Sequence, residues 1–196
     1  MFVAMAIIGF GGAAFAQTPL PMSRVRGTID AVDGTSMHVT TRSGEHLTMK
    51  LAADAGYTLI EPISIEAIKP GSFIGTAAVT QPDGTLKALE IQVFPESMRG
   101  VGEGHRPWDL GTGSTMTNGT VGDLKVTNGR LLTLTYKGGE QKVFVPEKVP
   151  VITYEPATRD ALKKGAHIIA FVARGEDGTL TATRVGVGKD GLVPPM

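Results

Sequence analysis

The residues of this chain that are best suited to chemistry lie together in one glycine-rich stretch near its middle. The stretch reads GEGHRPWDLGTGSTM, begins at Gly102, and holds the only tryptophan of the 196 residues beside a histidine, an arginine and an aspartate. An indole face can stack on a ligand, and a guanidinium can hold an anion through paired hydrogen bonds. We therefore interpret four side chains as candidate ligand- or partner-binding residues, namely His105, Arg106, Trp108 and Asp109.

A purely structural interpretation of the same stretch is also open. Trp108 would then fill a groove between two domains, while Arg106 and Asp109 fix the loop. Pro107 fixes its own φ angle and restricts the residue before it, and so helps to set the direction in which Trp108 projects. A rigid loop is also how a binding site is built, so the two interpretations are compatible.

Charge and composition argue against several classes of protein. The 19 Lys and Arg residues are balanced by 19 Asp and Glu residues, whereas a nucleic-acid partner usually requires a basic patch. The chain has no cysteine, which excludes disulfides, thiolate nucleophiles and cysteine-based metal sites. It contains no G-x-S-x-G motif, and its glycine runs lack the lysine of a phosphate-binding loop. We predict no catalytic residue, with a hydrolase of unknown substrate as the weaker alternative.

The N-terminus has the pattern of an export signal. Residues 1–16 read MFVAMAIIGFGGAAFA, carry no charge and end in Ala14-Phe15-Ala16, the small-x-small pattern that signal peptidase recognises. This run is shorter than the roughly 20 apolar residues of a membrane anchor, and no later segment is long and apolar enough to span a bilayer. We expect a cleaved signal and a soluble periplasmic protein.

Most of the remaining sequence repeats itself. Glu61-Pro62 recurs as Glu155-Pro156, and the turn sequence beginning at Asp83 recurs at Asp177, both at an offset of 94 residues. Such self-similarity indicates two copies of one module. We assign the first β-module to 17–94, a glycine-rich connector to 95–117, the second β-module to 118–190, and an extended tail with no fixed role to 191–196.

Within each copy the apolar residues alternate as they do in β-strands. The segment Arg42-Ser43-Gly44 suits a hairpin turn with glycine in the left-handed conformation, and residues 63–68 read as a short helical piece. The predicted order is therefore β-β-β-α-β-β, which is that of an OB barrel. The fold class we predict is all-β, with two tandem five-stranded OB-like barrels that arose by internal duplication.

The connector also carries a resemblance. The tract MRGVGEGHRPWDLGTGSTMTNGTV resembles one found in uncharacterised exported proteins of proteobacteria, mainly alphaproteobacteria, which carry a tandem domain of unknown function. Some of those proteins are named as metal-transporter permeases. The resemblance implies export and a tandem β-module, and it implies no established activity.

A metal site is the alternative that those names suggest. Histidine and methionine can bind copper, and histidine can bind zinc. The candidates lie on the second and third strands, where the expected register places Thr40 opposite His46 and His38 opposite Thr48. His38 and His46 then share the outer face as possible copper or zinc ligands, whereas Met37 and Met49 face the apolar side.

The sequence thus predicts a non-catalytic binding or interaction module of the cell envelope, without a resident cofactor. Its partner would be a small ligand or another envelope protein. The alternative function is periplasmic handling of copper or zinc.

Overall fold

A computed structural model describes residues 22–127 and 129–196 of the chain, so the predicted export signal lies outside the described residues. These residues are all-β, with 61% in strands. The strands, numbered in chain order, are β1 (Met22–Asp33), β2 (Ser36–Thr41), β3 (His46–Pro62), β4 (Phe73–Thr80), β5 (Leu86–Val93), β6 (Gly104–Pro107), β7 (Ser114–Thr127), β8 (Gly129–Tyr136), β9 (Gly139–Val145), β10 (Val151–Ala157), β11 (His167–Arg174) and β12 (Leu180–Gly188). No helix of the described residues has the length and apolarity needed to cross a membrane.

Five of these strands close into a first barrel. Strands β1, β2 and β3 form an antiparallel meander, β12 pairs with β3 in parallel, and β11 pairs with both β12 and β1. The interior is apolar because alternate residues of each strand point inward. Its fully buried side chains include Ile29, Met37, Val39 and Met49.

A second ring of pairings forms the other barrel. Strand β4 pairs with β5 and β7, β8 pairs with β7 and β9, and β9 returns to β5 in parallel. Only two residue pairs close this ring, Leu86 with Val143 and Lys87 with Phe144. Its core is a separate cluster that includes Ile74, Ile91 and Leu132.

Each ring takes strands from both halves of the chain, so the prediction of one barrel per half is wrong. The hairpin β4–β5 joins β7, β8 and β9, while the hairpin β11–β12 joins β1, β2 and β3. Alternation of apolar residues specifies which face of a strand is buried and not which strand it pairs with. The repeated pattern therefore fits either partner equally well.

The predicted α element is also wrong. Residues 63–68 contain a single 3-10 turn, Ile65–Ala67, whose N-cap Ser64 accepts a hydrogen bond from the backbone N–H of Glu66. Pro70 has no backbone N–H and disfavours a helical conformation at Lys69, and the backbone is already extended at Ile68, where the turn ends. The same short turn recurs at Arg159–Ala161 in the second half.

The two barrels are joined by a continuous sheet. The C-terminal half of β3 pairs with β10, with Ile60 opposite Tyr154, and β10 then runs parallel to β5. Beside this junction the Lys189 ammonium lies 2.6 Å from a carboxylate oxygen of Glu61 and 3.3 Å from one of Glu155. These contacts give both repeated glutamates a common partner and lower the pKa of Glu61.

The C-terminal tail is part of the junction, which corrects the expectation of an extended end with no role. Met196 is 2% exposed and packs in one cluster with Ile60, Ile152 and Ile169. A guanidinium N–H of Arg42 donates to the carbonyl oxygen of Pro194. These contacts attach the tail to the first barrel and to the interface between the barrels.

Strands β1 and β2 approach each other so closely at one glycine that a side chain there would clash. A Cβ added at Gly27 would lie 2.2 Å from the carbonyl oxygen of Thr40, a backbone atom that cannot move aside. We expect Gly27→Ala to lower the free energy of unfolding by about 1–3 kcal/mol through overpacking. In urea denaturation, Gly122→Ala is the control because its Cβ would make only ordinary contacts. Equal stability of the two variants would contradict the expected clash.

Candidate functional site

A cleft of about 560 Å³ opens between the two barrels beside the connector. Its volume lies within the range of roughly 300–1,000 Å³ that small-molecule sites occupy. Strands of both barrels contribute to its walls, and the rings that line it are Tyr57, Phe94, Trp108, Tyr154 and Phe171. Phe94 and Tyr154 stack on each other with centroids 5.5 Å apart. The cleft therefore offers an aromatic surface to a ligand.

The connector forms a hairpin rather than a free loop. Its residues Gly104–Pro107 are strand β6, which pairs antiparallel with β7 and places Arg106 opposite Met116. Gly104 begins this pairing, opposite Asn118, at φ +126°, a conformation that side-chain-bearing residues rarely adopt. Because side chains alternate along a strand, Arg106 and Trp108 face the cleft while His105 faces away from it.

Two guanidinium groups lie against the indole ring of Trp108. The guanidinium carbon of Arg24 lies 3.6 Å from the indole centroid, and that of Arg106 lies 5.6 Å from it. Arg106 also donates to the carbonyl oxygen of Gly102 at 2.7 Å. Burial lowers the pKa of Arg106, and the positive charge of Arg24 lowers it further. Two like charges therefore contact one aromatic ring in the lining of the cleft.

Asp109 fastens the connector to the first barrel. It accepts two hydrogen bonds from Arg26, at 2.7 and 3.0 Å, and one from Arg24 at 3.2 Å. Burial raises the pKa of Asp109, but the two arginines outweigh this effect and hold it below its ordinary value. Asp109 does not line the cleft, and its contacts are those expected of a residue that fixes the loop.

His105 lies on the opposite side of the hairpin. Its Nδ1 is 2.8 Å from the hydroxyl of Thr117, and its ring stacks on Tyr136 with centroids 6.4 Å apart. Of the four residues predicted from the connector, the structure thus brings Arg106 and Trp108 into the cleft. Asp109 positions them, and His105 is separate from them.

Comparisons with known proteins add no relative. No protein-family model, curated protein or solved structure matches the chain significantly. The function of the protein must therefore be inferred from the side chains of the cleft.

Several cleft residues were not predicted from the sequence, because they lie on strands that are distant in the chain. Arg24 comes from β1, Tyr154 from β10, and Arg184 from β12, where its guanidinium carbon lies 4.5 Å from the ring centroid of Phe171. One signal was present in the strand sequence LKALEIQVF. It places Lys87, Glu90 and Gln92 among apolar residues, and the structure buries the last two of these polar side chains.

Glu90 begins a chain of buried hydrogen bonds that leads to the cleft. The side chain is 1% exposed, and its Oε1 accepts from the amide of Gln92 at 2.9 Å. The amide oxygen of Gln92 accepts from the hydroxyl of Tyr154 at 2.6 Å. Burial raises the pKa of Glu90 to about 7, although Gln92, Arg26 and Arg42 act in the opposite direction. Glu90 is therefore partly protonated near neutral pH.

The predicted metal ligands lie on the strand pair β2–β3 in the expected register. His46 is opposite Thr40 and His38 is opposite Thr48, and Met37 and Met49 are buried in the barrel core as predicted. Each histidine has its own neighbours. His38 contacts Thr48 and Asp33, and His46 contacts Thr40 at 3.0 Å. No group of three or more His, Asp or Glu side chains suited to a metal occurs within the described ranges.

Proposed function

We propose that this protein is an exported, non-catalytic binding protein of the cell envelope, and that the cleft between its barrels holds a small organic ligand. The observation that carries the proposal is the cleft itself, with its volume of about 560 Å³ and its five aromatic rings. Concave, mostly apolar sites with a few polar groups are where small ligands bind. Export is proposed from the apolar residues 1–16 alone.

The geometry of Trp108 supports this proposal. The indole lines the cleft while Arg24 covers one part of its surface. Its ring N–H is buried and has no hydrogen-bond acceptor among the described residues. A buried donor without an acceptor costs stability, and a ligand that enters the cleft can supply the acceptor.

We also propose that the two barrels are copies of one OB-like module that exchange their C-terminal hairpins. Residues 94 apart occupy equivalent places in the pairings. Val151 is the equivalent of Tyr57, and Ile91 is the equivalent of Val185. Tyr57 pairs with Val185 in parallel, and Val151 pairs with Ile91 in the same way. Ile60 pairs with Tyr154, its own equivalent, as expected at a two-fold axis. The exchange places the cleft between the copies, where neither copy could form it alone.

Binding in the cleft can be tested with a neutral fluorescent probe. We expect N-phenyl-1-naphthylamine to bind the mature protein at one saturable site and to accept energy from Trp108, the only tryptophan. The measurement is probe emission during excitation of the indole. Because the probe is uncharged, the result depends on the apolar walls and not on the arginines.

A variant that fills the cleft provides the control. Thr58 is half-buried and lines the cleft, so Thr58→Phe is expected to weaken probe binding by about tenfold or more through steric exclusion. Thr133→Phe places the same ring on β8, outside the cleft, and is expected to leave binding unchanged. Probe binding that is equally strong in both variants would mean that the cleft is not the site.

A further inference from the structure

We propose that the ligand of the cleft is an organic acid, with an apolar body against the aromatic rings and a carboxylate held by Arg106 and Arg184. This inference rests on the proposed function, because it identifies the chemical class of the ligand that the cleft would bind. It goes further because it assigns the sign of the ligand's charge and the side chains that recognise it.

The first observation is an imbalance of charge around the cleft. Three arginines line it, Arg24, Arg106 and Arg184, while Glu103 is the only acidic side chain among the lining residues that the structure describes. Glu103 already accepts a hydrogen bond from the backbone N–H of Lys137 at 3.0 Å. The walls therefore carry more positive than negative charge, which favours an anion.

The second observation is that two of these arginines have no acidic partner. Arg24 shares Asp109 with Arg26, whereas neither Arg106 nor Arg184 forms an ion pair with any carboxylate of the described residues. Arg106 contacts the carbonyl oxygen of Gly102 and the Trp108 ring, and Arg184 contacts the Phe171 ring. Each guanidinium has five N–H donors, so both retain donors for a carboxylate.

The repulsion between Arg24 and Arg106 also favours an anionic ligand. Arg24 and Arg106 both contact the Trp108 ring, and burial together with Arg24 lowers the pKa of Arg106. Placing like charges together in a half-buried site costs free energy. A bound carboxylate would relieve that cost, and paired guanidinium–carboxylate hydrogen bonds are among the strongest in proteins.

Most of the remaining lining of the cleft is apolar and indicates that the body of the ligand is apolar too. Phe94 stacks on Tyr154, and Met196 and Ile169 lie beside them in the lining. The hydroxyl of Tyr154 is already engaged with Gln92 and with the sulfur of Met196. This wall therefore offers contact surface without a free charge, and it suits either aromatic rings or an acyl chain.

The test compares acids with amides of the same shape. The probe pairs are 2-naphthylacetate with 2-naphthylacetamide, and decanoate with decanamide, each measured by displacement of N-phenyl-1-naphthylamine. We expect the acid of at least one pair to bind about ten- to hundredfold more tightly than its amide, as charge-assisted hydrogen bonds predict. The pair with the larger preference distinguishes an aromatic acid from a fatty acid.

Variants of the arginines locate the preference. Arg106→Gln and Arg184→Gln are each expected to reduce the acid-to-amide ratio at least severalfold, because each variant removes a charge that distinguishes the acid from its amide. Arg99→Gln is the matched control, because Arg99 is paired with Glu96 and does not line the cleft. The far-ultraviolet circular dichroism of each variant, compared with that of the wild type, checks that the variant is folded.

The outcomes separate this inference from the proposed function. If the neutral probe does not bind, the proposed function fails. If the probe binds and every amide competes as well as its acid, the cleft remains a binding site and the inference of an acidic ligand is overturned. A preference for acids that persists in both arginine variants would also overturn the assignment of Arg106 and Arg184.

Discussion

Replacing Glu90 by glutamine is expected to raise the free energy of unfolding by about 3 kcal/mol at about pH 8 and to change it little at about pH 4. The carboxyl is almost completely buried, and burial raises its pKa from 4.5 to about 7. A negative charge in this position costs free energy because it is removed from water. Glutamine has nearly the same shape, and its side-chain oxygen can still accept the hydrogen bond from the side-chain amide of Gln92.

The direction of the pH dependence follows from proton binding. Because the pKa of Glu90 is higher in the folded than in the unfolded protein, the folded state binds more protons between about pH 4.5 and 7. The contribution of Glu90 to stability therefore falls as the pH rises through this interval and is constant above it. The difference between wild type and Glu90→Gln should grow over the same interval.

Urea denaturation of both proteins across this pH range measures the effect. Glu140→Gln is the control, because Glu140 is exposed on β9 and its replacement leaves the buried charge in place. If the difference in the free energy of unfolding between wild type and Glu90→Gln does not change with pH, the folded protein stabilises the carboxylate as well as water does. Arg26 and Arg42, whose charges act on it, would then be its partners.

Local features of the fold were predictable from the sequence. The register of β2 with β3 follows from a three-residue turn with Gly44 at φ +86° and from the alternation on either side of it. The repeated turns also follow from their residues, since the carboxylates of Asp83 and Asp177 accept from the backbone N–H groups of Thr85 and Thr179. Such features depend on residues that are close together in the chain, so a single sequence is enough to predict them.

Long-range features were not predictable in the same way. The cleft brings Arg24, Arg184 and Trp108 together although they lie far apart in the sequence. Of the residues that line the cleft, only those of the connector were recognised as candidates, because Arg106 and Trp108 lie two positions apart in a stretch of unusual composition. The role of Asp109 depends on Arg26 of β1, and no spacing rule joins residues across the whole first half of the chain.

The exchange of hairpins leads to the prediction with the largest effect. When the chain is divided after Arg99, the fragments 17–99 and 100–196 each lack the hairpin that completes their own three-stranded sheet. We expect neither fragment to fold as a monomer, because each would expose the interior of an open barrel to water. Mixed in equal amounts, they should form a one-to-one complex with the circular dichroism of the intact chain.

The size of each fragment in solution shows whether its hairpin must pair with the other fragment or can pair with the three-stranded sheet of its own half. A hairpin that could return to the sheet of its own half would give a folded monomer of 17–99, and this result would contradict the need for exchange. A homodimer of one fragment would agree with it, because the pairing of Ile60 with its equivalent Tyr154 can be repeated between two identical copies. The mixed complex should also bind N-phenyl-1-naphthylamine, since the cleft takes its walls from both fragments. A homodimer of 17–99 would lack Trp108 and Arg106, so any binding of the neutral probe there would come from the apolar walls alone.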